Sequence, residues 1–169
     1  MKTVYLIRHA KSSWDDPDLS DLQRPLNERG KRDAPRMGQR LRKKDLRPDL
    51  VLSSPAKRTR STAKRICKEI GFPKDNIRTD RRLYHADEEG ILTVIREVKD
   101  KHDLIFIFGH NPGLTDFVNT IAQEDANQFI DNVPTCGVAA FTFDVGSWND
   151  IKWKTGRMIF YDFPKSRND

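Results

Sequence analysis

Two arginines and two histidines of the sequence stand where short apolar runs end. Arg8 and His9 follow the run TVYLI, Arg58 comes one helical turn after the run DLVLS, and His110 closely follows the run DLIFIF. Arginine offers a planar fork of donors that matches phosphate oxygens. Cationic side chains that lie close together repel one another unless a negative charge neutralises them, so a site built from these four side chains needs an anionic ligand. A dianionic phosphate fits that requirement.

The apolar runs predict buried strands that alternate with helices. The patterns predict strands over 3–7, 49–53, 103–108, 137–143 and 151–163, and helices over 28–43, 57–70, 90–99 and 113–123. This alternation is typical of an α/β fold, a mostly parallel sheet with helices on both faces. In such sheets ligands bind outside the carboxyl ends of the strands, which is where the four side chains lie. The order of the strands in the sheet stays open.

Length and composition restrict the kind of protein. The chain has 169 residues without a linker or a repeat, which predicts one domain over 1–163 and a frayed tail over 164–169. Two cysteines without metal-ligand spacing predict reduced thiols. No apolar run suits a signal peptide or a membrane span, so we expect a cytoplasmic protein with no membrane partner. The net charge of +6 favours anionic partners of any class.

Five motifs occur in order along the chain: TVYLIRHA (3–10), RPLNERG (24–30), SSPAKRTRSTA (53–63), LYHA (83–86) and GHNPG (109–113). Together they resemble the motifs of the histidine phosphatase superfamily, the phosphoglycerate-mutase-like phosphatases. The tripeptide RHA in place of the commoner RHG, with the short chain and the other motifs, resembles the SixA branch, the phosphohistidine phosphatases. The resemblance covers the chain from end to end. It implies a phosphoglycerate-mutase-like fold and a phosphatase that uses no metal and no cofactor.

The resemblance also implies roles for individual residues. His9 would be the nucleophile that accepts the phosphoryl group, and Arg8, Arg58 and His110 would bind its oxygens, His110 stabilising the group if it is protonated. Four further residues would bind substrate: Ser12, Asp15, Asn111 and Gly113. Asp15 departs from the Asn that the superfamily often has near the phosphate, and its carboxylate would repel that phosphate.

The sequence shows no clear proton donor for the leaving group. The superfamily commonly has a Glu in the region that here reads RRLYHADEEG. The candidates are His85 or Tyr84, at about the expected position, and Asp87 and Glu88, which would equally suit the start of the next helix. A missing acid suits N–P bonds, because the imidazole of phosphohistidine leaves as a neutral group when its other nitrogen is protonated.

The predicted function is hydrolysis of a phosphorylated substrate, foremost phosphohistidine on a protein such as a phosphorelay histidine domain. Two alternatives stay open. One is a phosphatase for phosphorylated small molecules, although the chain has no long insertion that would form a lid. The other is a non-enzymatic phosphate- or nucleic-acid-binding module that uses the basic run RLRKKDLR (40–47). That run lacks interleaved aromatic residues and a nucleic-acid motif, so we expect no nucleic-acid partner.

Overall fold

Six strands and four α-helices make up the regular elements of residues 1–124 and 129–167, the part of the chain that the structure, a computed structural model, describes. The strands are β1 (Lys2–Arg8), β2 (Leu50–Ser53), β3 (Arg78–Thr79), β4 (Leu104–Gly109), β5 (Val138–Phe143) and β6 (Arg157–Asp162). The helices are α1 (Glu28–Arg42), α2 (Lys57–Ile70), α3 (Glu88–Arg96) and α4 (Gly113–Ile121). Within these described residues, no helix is both long enough and apolar enough to cross a membrane.

All six strands form one sheet in the order β3-β2-β4-β1-β5-β6. Strands β3, β2, β4 and β1 run parallel to one another, while β5 is antiparallel to both β1 and β6. The antiparallel pair lies at one edge, as is common in otherwise parallel sheets. The prediction of an α/β fold with a mostly parallel sheet is therefore confirmed.

The core consists of two apolar layers, one on each face of the sheet. Along β1, Val4 and Leu6 pack into the layer that includes residues of α3 and α4. Tyr5 and Ile7 pack into the layer that includes residues of α1 and α2. Because successive side chains of a strand point to opposite faces, a strand covered on both faces must be apolar throughout. This is why the central strands appear in the sequence as continuous apolar runs.

The predicted strand over 151–163 is wrong in its first half. Residues Trp148–Asp150 form a 3-10 turn, and β6 begins only at Arg157. Between them Lys154 has a φ of 63°, a left-handed conformation that ends an extended run. The strand β3 was not predicted because it consists of two exposed residues with no apolar signal.

Helix boundaries agree with the predicted ranges to within three residues. The largest difference is in α3, which spans Glu88–Arg96 rather than 90–99: it begins two residues earlier, because Asp87 caps it, and it ends three residues earlier. In the tail that we expect to fray, residues Pro164–Ser166 form a 3-10 turn. The guanidinium of Arg40 donates to the carbonyls of Phe163 and Pro164 at 2.9 and 3.0 Å and holds this turn against α1. Residues 168 and 169 lie outside the described part.

Candidate active site

The register between β1 and β4 places the two histidines side by side. Arg8, the last residue of β1, pairs with Gly109, the last residue of β4, so His9 and His110 each follow the end of a strand. The backbone N–H of His9 donates to the carbonyl of Gly109 at 3.1 Å, and the two imidazole centroids lie 5.2 Å apart. Each histidine is 8% exposed. The parallel pairing thus builds a buried histidine pair at the carboxyl edge of the sheet.

His9 has one ring nitrogen fixed by the backbone. Its Nδ1 lies 2.7 Å from the carbonyl oxygen of Ala10, which only accepts, so Nδ1 carries the proton and Nε2 carries the lone pair. Burial, together with the positive charges of Arg58 and Arg8, lowers the pKa of His9 from 6.5 to about 4. At neutral pH the ring is therefore uncharged, with Nε2 available as a nucleophile.

The two arginines of the site each have one buried donor without an acceptor. Arg58, in the first turn of α2, donates through Nη1 to the carbonyl of Asp21 at 2.7 Å. Arg8 donates through Nη1 to the carbonyl of Val133 at 2.9 Å. The Nε of both guanidinium groups is buried, and no acceptor for it exists among residues 1–124 and 129–167. A buried donor without a partner is unfavourable by about 1–3 kcal/mol, which an anion bound between the arginines would relieve.

Asp21 links three side chains around the site. Its carboxylate accepts from Nε of Arg24 at 3.2 Å, from Nη2 of Arg58 at 3.1 Å and from the hydroxyl of Tyr84 at 2.5 Å. Burial raises the pKa of this carboxyl, but the hydrogen bonds from Tyr84, Arg58 and Arg24 outweigh burial and hold the pKa well below its ordinary value. Sequence reasoning missed Asp21. Its only signal is a carboxylate placed three residues before Arg24.

His110 contacts protein groups through both ring nitrogens. Nε2 lies 2.7 Å from Oγ of Ser54, and Nδ1 lies 3.4 Å from Nη2 of Arg58. Since the guanidinium can only donate, Nδ1 accepts and Nε2 carries the proton. Burial and the neighbouring His9 and Arg58 lower the pKa of His110 to about 3. The ring is thus neutral in this structure and not the imidazolium considered from the sequence, although a bound dianion would favour that charged form.

Ser12 and Asp15 occupy different surroundings. Ser12 is buried, and its hydroxyl accepts from Nη1 of Arg24 at 2.7 Å. Asp15 is exposed, and its backbone N–H donates to the hydroxyl of Ser13 at 3.0 Å. Among the described residues no hydrogen bond or ion pair joins the Asp15 side chain to the site. The structure brings Ser12 to the arginine network and leaves Asp15 in solvent.

Asn111 and Gly113 hold neighbouring segments against the site. The amide of Asn111 donates to the carbonyl of Val133 at 2.9 Å, the same oxygen that Arg8 reaches. Gly113 begins α4, and a Cβ there would lie 1.8 Å from the carbonyl oxygen of Ala86. Only glycine permits this approach of the segment that carries Tyr84. These two residues therefore position other parts of the site.

The candidate proton donors lie in different settings. Asp87 is the N-cap of α3 and accepts from the N–H of Gly90 at 2.8 Å, and Glu88 is the first residue of that helix. His85 is exposed and packs on the ring of Tyr84, with centroids 4.0 Å apart. The hydroxyl of Tyr84 donates to Asp21. Of the four candidates, Tyr84 alone packs against a site imidazole, with its ring centroid 5.6 Å from that of His110.

Comparisons with known sequences point to one family. A model of the histidine phosphatase superfamily (branch 1) matches residues 4–88. An uncharacterised protein of Mycobacterium tuberculosis is 30% identical over 165 residues, which cover 94% of this chain and 100% of that protein. An uncharacterised chloroplastic protein of Arabidopsis thaliana is 29% identical over 88% of this chain and 70% of its own length.

Solved structures with the same fold have nearly the same extent. SixA from Agrobacterium tumefaciens superimposes with a TM-score of 0.81 at 30% identity and covers 96% of this chain and 98% of its own. A protein histidine phosphatase SixA in complex with tungstate has a TM-score of 0.81 at 18% identity, with coverage of 97% and 98%. A mycobacterial glucosyl-3-phosphoglycerate phosphatase reaches 0.67 at 12% identity, with coverage of 96% and 100%. The last two likenesses show the fold alone.

Proposed function

The chain belongs to the histidine phosphatase superfamily, and we propose that it hydrolyses phosphohistidine on a protein through a phosphohistidine intermediate formed on His9. The family and the SixA neighbour support its assignment as a phosphatase. The finer proposal adds the substrate class, the nucleophile and independence from metal ions. Arg8, Arg58 and His110 are proposed as the ligands of the phosphoryl oxygens.

One observation carries the proposal: a neutral imidazole with a free Nε2 lies beside two buried guanidinium donors without acceptors. Phosphoryl transfer needs a nucleophile in line with the leaving group and cations on the equatorial oxygens. His9 supplies the first requirement, and Arg8 and Arg58 supply the second. Fixing Nδ1 to the Ala10 carbonyl orients the ring before substrate binds, which lowers the entropic cost of reaching the transition state.

The reaction would proceed in two displacements. In the first, Nε2 of His9 attacks phosphorus, and the P–N bond of the substrate breaks as its electron pair returns to the leaving imidazole. That imidazole departs neutral because its other nitrogen already carries a proton. In the second, water attacks phosphorus, the P–Nε2 bond breaks with its electron pair returning to Nε2, and the water releases a proton to solvent as orthophosphate leaves. His9 returns to its neutral form.

The surroundings of two of the four candidate acids, Tyr84 and Asp87, favour phosphohistidine over a phosphate ester. An alkoxide leaving group needs a proton in the transition state, whereas a neutral imidazole does not. Asp87 is engaged in capping α3, and the Tyr84 hydroxyl is engaged with Asp21. A phosphorelay histidine domain is the model substrate for this proposal.

The two cysteines are consistent with the cytoplasmic setting that we propose. Cys67 and Cys136 are both free and both buried. Disulfides are rare in the reducing cytoplasm, where buried thiols persist as small apolar side chains.

Trapping the intermediate tests the mechanism. The protein is incubated with a phosphohistidine peptide labelled with radioactive phosphate, quenched and examined for acid-labile, base-stable label. Wild-type protein should carry label, should release orthophosphate and should keep its rate in EDTA. The variant His9→Ala should form no adduct and show no turnover.

The matched control is His102→Ala. His102 lies just before β4, at the opposite edge of the sheet from His9, so its removal should leave labelling intact. Labelling that persists in His9→Ala, or turnover that EDTA abolishes, would refute the mechanism. A kcat/KM for sugar phosphates above that for the phosphohistidine peptide would instead assign the enzyme to small-molecule esters.

A further inference from the structure

A basic groove lies on the exposed face of α2, outside the catalytic centre. It has a volume of about 560 Å³, and its lining consists of Ser61, Lys64, Arg65, Lys68, Phe72 and Lys74. Four of these six residues are cations, and none carries a carboxylate. The half-buried Phe72 gives the groove an apolar part between the lysine side chains.

The cations of this groove form no ion pair within the described part of the chain, although Glu69 and Asp75 follow Lys68 and Lys74 in the sequence. Residues 1–124 and 129–167 contain no ion pair to Lys64, Arg65, Lys68 or Lys74, in contrast to Arg24 and Arg82, which are paired. The Nε of Arg65 is in addition buried and has no acceptor among those residues. A concentration of unpaired cations raises the local positive potential, which attracts anionic partners and excludes cationic ones.

The groove lies on the same helix as Arg58, but on its exposed face and further toward its C-terminus. Arg58 is in the first turn of α2, while Lys64 and Lys68 follow it by six and ten residues. At 1.5 Å per residue these lysines lie about 9 and about 15 Å further along the helix axis. An extended peptide rises about 3.3 Å per residue, so about three to five residues would span that distance.

We propose that this groove docks an acidic segment of the phosphorylated protein, about three to five residues from its phosphohistidine. The inference rests on the proposed function, because it concerns the protein that delivers the phosphoryl group to His9. Carboxylate side chains complement the lysines, and an apolar residue among them would contact Phe72. A nucleic acid would complement the charge too, but it would not bring a phosphohistidine to the neighbouring site.

Two synthetic phosphohistidine peptides of about 15 residues test the docking. One has Glu at the third to fifth positions on both sides of the phosphohistidine, and the other has Gln at the same positions. For wild-type protein the Glu peptide should have a KM about tenfold lower than the Gln peptide, as expected for several exposed charge pairs. Raising salt from about 50 to about 300 mM should remove most of that difference.

The double variant Lys64→Glu/Lys68→Glu should raise the KM for the Glu peptide at least about tenfold without changing kcat. Both lysines are exposed, so the fold should tolerate the change. Its kinetics with phosphoramidate, which is too small to reach the groove, should match wild type. The matched control Lys99→Glu/Lys101→Glu makes the same change in net charge at exposed positions just before β4. It should leave the KM for both peptides unchanged.

Equal KM values for the two peptides in wild-type protein would overturn the docking proposal while the proposed function stands. So would a Glu-peptide KM that is unaffected by the Lys64/Lys68 reversal. Failure of wild-type protein to hydrolyse either peptide would refute the proposed function. Docking would then be tested separately, by measuring the binding of a fluorescently labelled, unphosphorylated Glu peptide through its fluorescence anisotropy. The acidic-segment assignment would be refuted if the Lys64→Glu/Lys68→Glu variant bound this peptide as tightly as wild type does. It would also be refuted if wild type bound duplex DNA more tightly than the peptide and the same variant lost that DNA binding.

Discussion

Replacing Asp21 by Asn removes a carboxylate that holds Arg24, Arg58 and Tyr84 together. The amide keeps an oxygen acceptor but loses the negative charge, and its NH2 group would face donors that need an acceptor. We therefore expect Asp21→Asn to weaken the fold locally and to loosen Arg58, a proposed phosphate ligand. Asp21 itself need not touch the substrate, so its role would be to position other side chains.

The expected magnitude follows from the contacts. A hydrogen bond to a charged group contributes about 1.5–3 kcal/mol, and the carboxylate accepts from three side chains. The Asp21 side chain is 41% exposed, so solvent screens these interactions, and Asn retains part of them. We expect the free energy of unfolding to fall by about 2 kcal/mol at pH 7. Arg58 keeps its bond to the Asp21 carbonyl, so kcat/KM should fall about tenfold, less than the 10²–10³ typical of a lost transition-state donor.

Guanidinium unfolding and phosphoramidate kinetics measure both effects, with Asp18→Asn as the control. Asp18 is an exposed carboxylate of the same segment, so this control removes an equal charge without touching the site. The folded pKa of Asp21 lies below its ordinary 3.8, so its stabilisation is complete above about pH 4 and is lost as pH falls further. The stability gap between wild type and Asp21→Asn should shrink only in that acidic range. An Asp21→Asn protein as stable and as active as Asp18→Asn would refute the positioning role.

Three further predictions concern groups within the core and the site. The kcat/KM for phosphoramidate, corrected for ionisation of the substrate, should rise with pH to a midpoint near the His9 pKa of about 4 and then stay level, whereas a midpoint near 6.5 would mean an unperturbed imidazole. Gly113→Ala should lower both Tm and kcat, because the added Cβ would lie 1.8 Å from the carbonyl oxygen of Ala86. The control Gly146→Ala should change neither, because a Cβ added there has no heavy atom within 4 Å. Burial raises the pKa of Cys67 to about 12, so iodoacetamide should modify it only after unfolding, and rapid labelling of native protein would contradict that burial.

The parts of the fold that could be predicted are those with local signals. The side chain of Asn27 accepts a hydrogen bond from the N–H of Gly30 at the start of α1, and Asn is a common N-cap residue. Gly71 has a φ of 80° at the end of α2, and glycine is the residue most often found in that left-handed position. The approach of His9 to His110 required only that two buried apolar runs become parallel neighbours. In a parallel pair the carboxyl ends meet at one edge, so the residues after them must be close.

The parts that could not be predicted depend on contacts distant in sequence. Asp21 reaches Arg58 and Tyr84 across 37 and 63 residues, and nothing in its own neighbourhood indicates either partner. The same holds for the Val133 carbonyl, which receives both Arg8 and Asn111 from other segments. The motifs predicted which residues form the site, but they did not predict the hydrogen-bond network that orients those residues. That network is set by tertiary packing, which a linear pattern does not encode.

The network also bears on the leaving group. Burial and the hydrogen bond to Asp21 raise the pKa of Tyr84, so its hydroxyl is a poorer acid than a free phenol and already donates its proton elsewhere. His110 is neutral before substrate binds, and its protonated nitrogen Nε2 faces Ser54. On the proposed mechanism, neither Tyr84 nor His110 readily supplies a proton, which favours a substrate whose leaving group needs little help, as a protonated phosphohistidine does. Selectivity for N–P bonds would then arise from weak acid catalysis at Tyr84 and His110 rather than from an enclosing pocket.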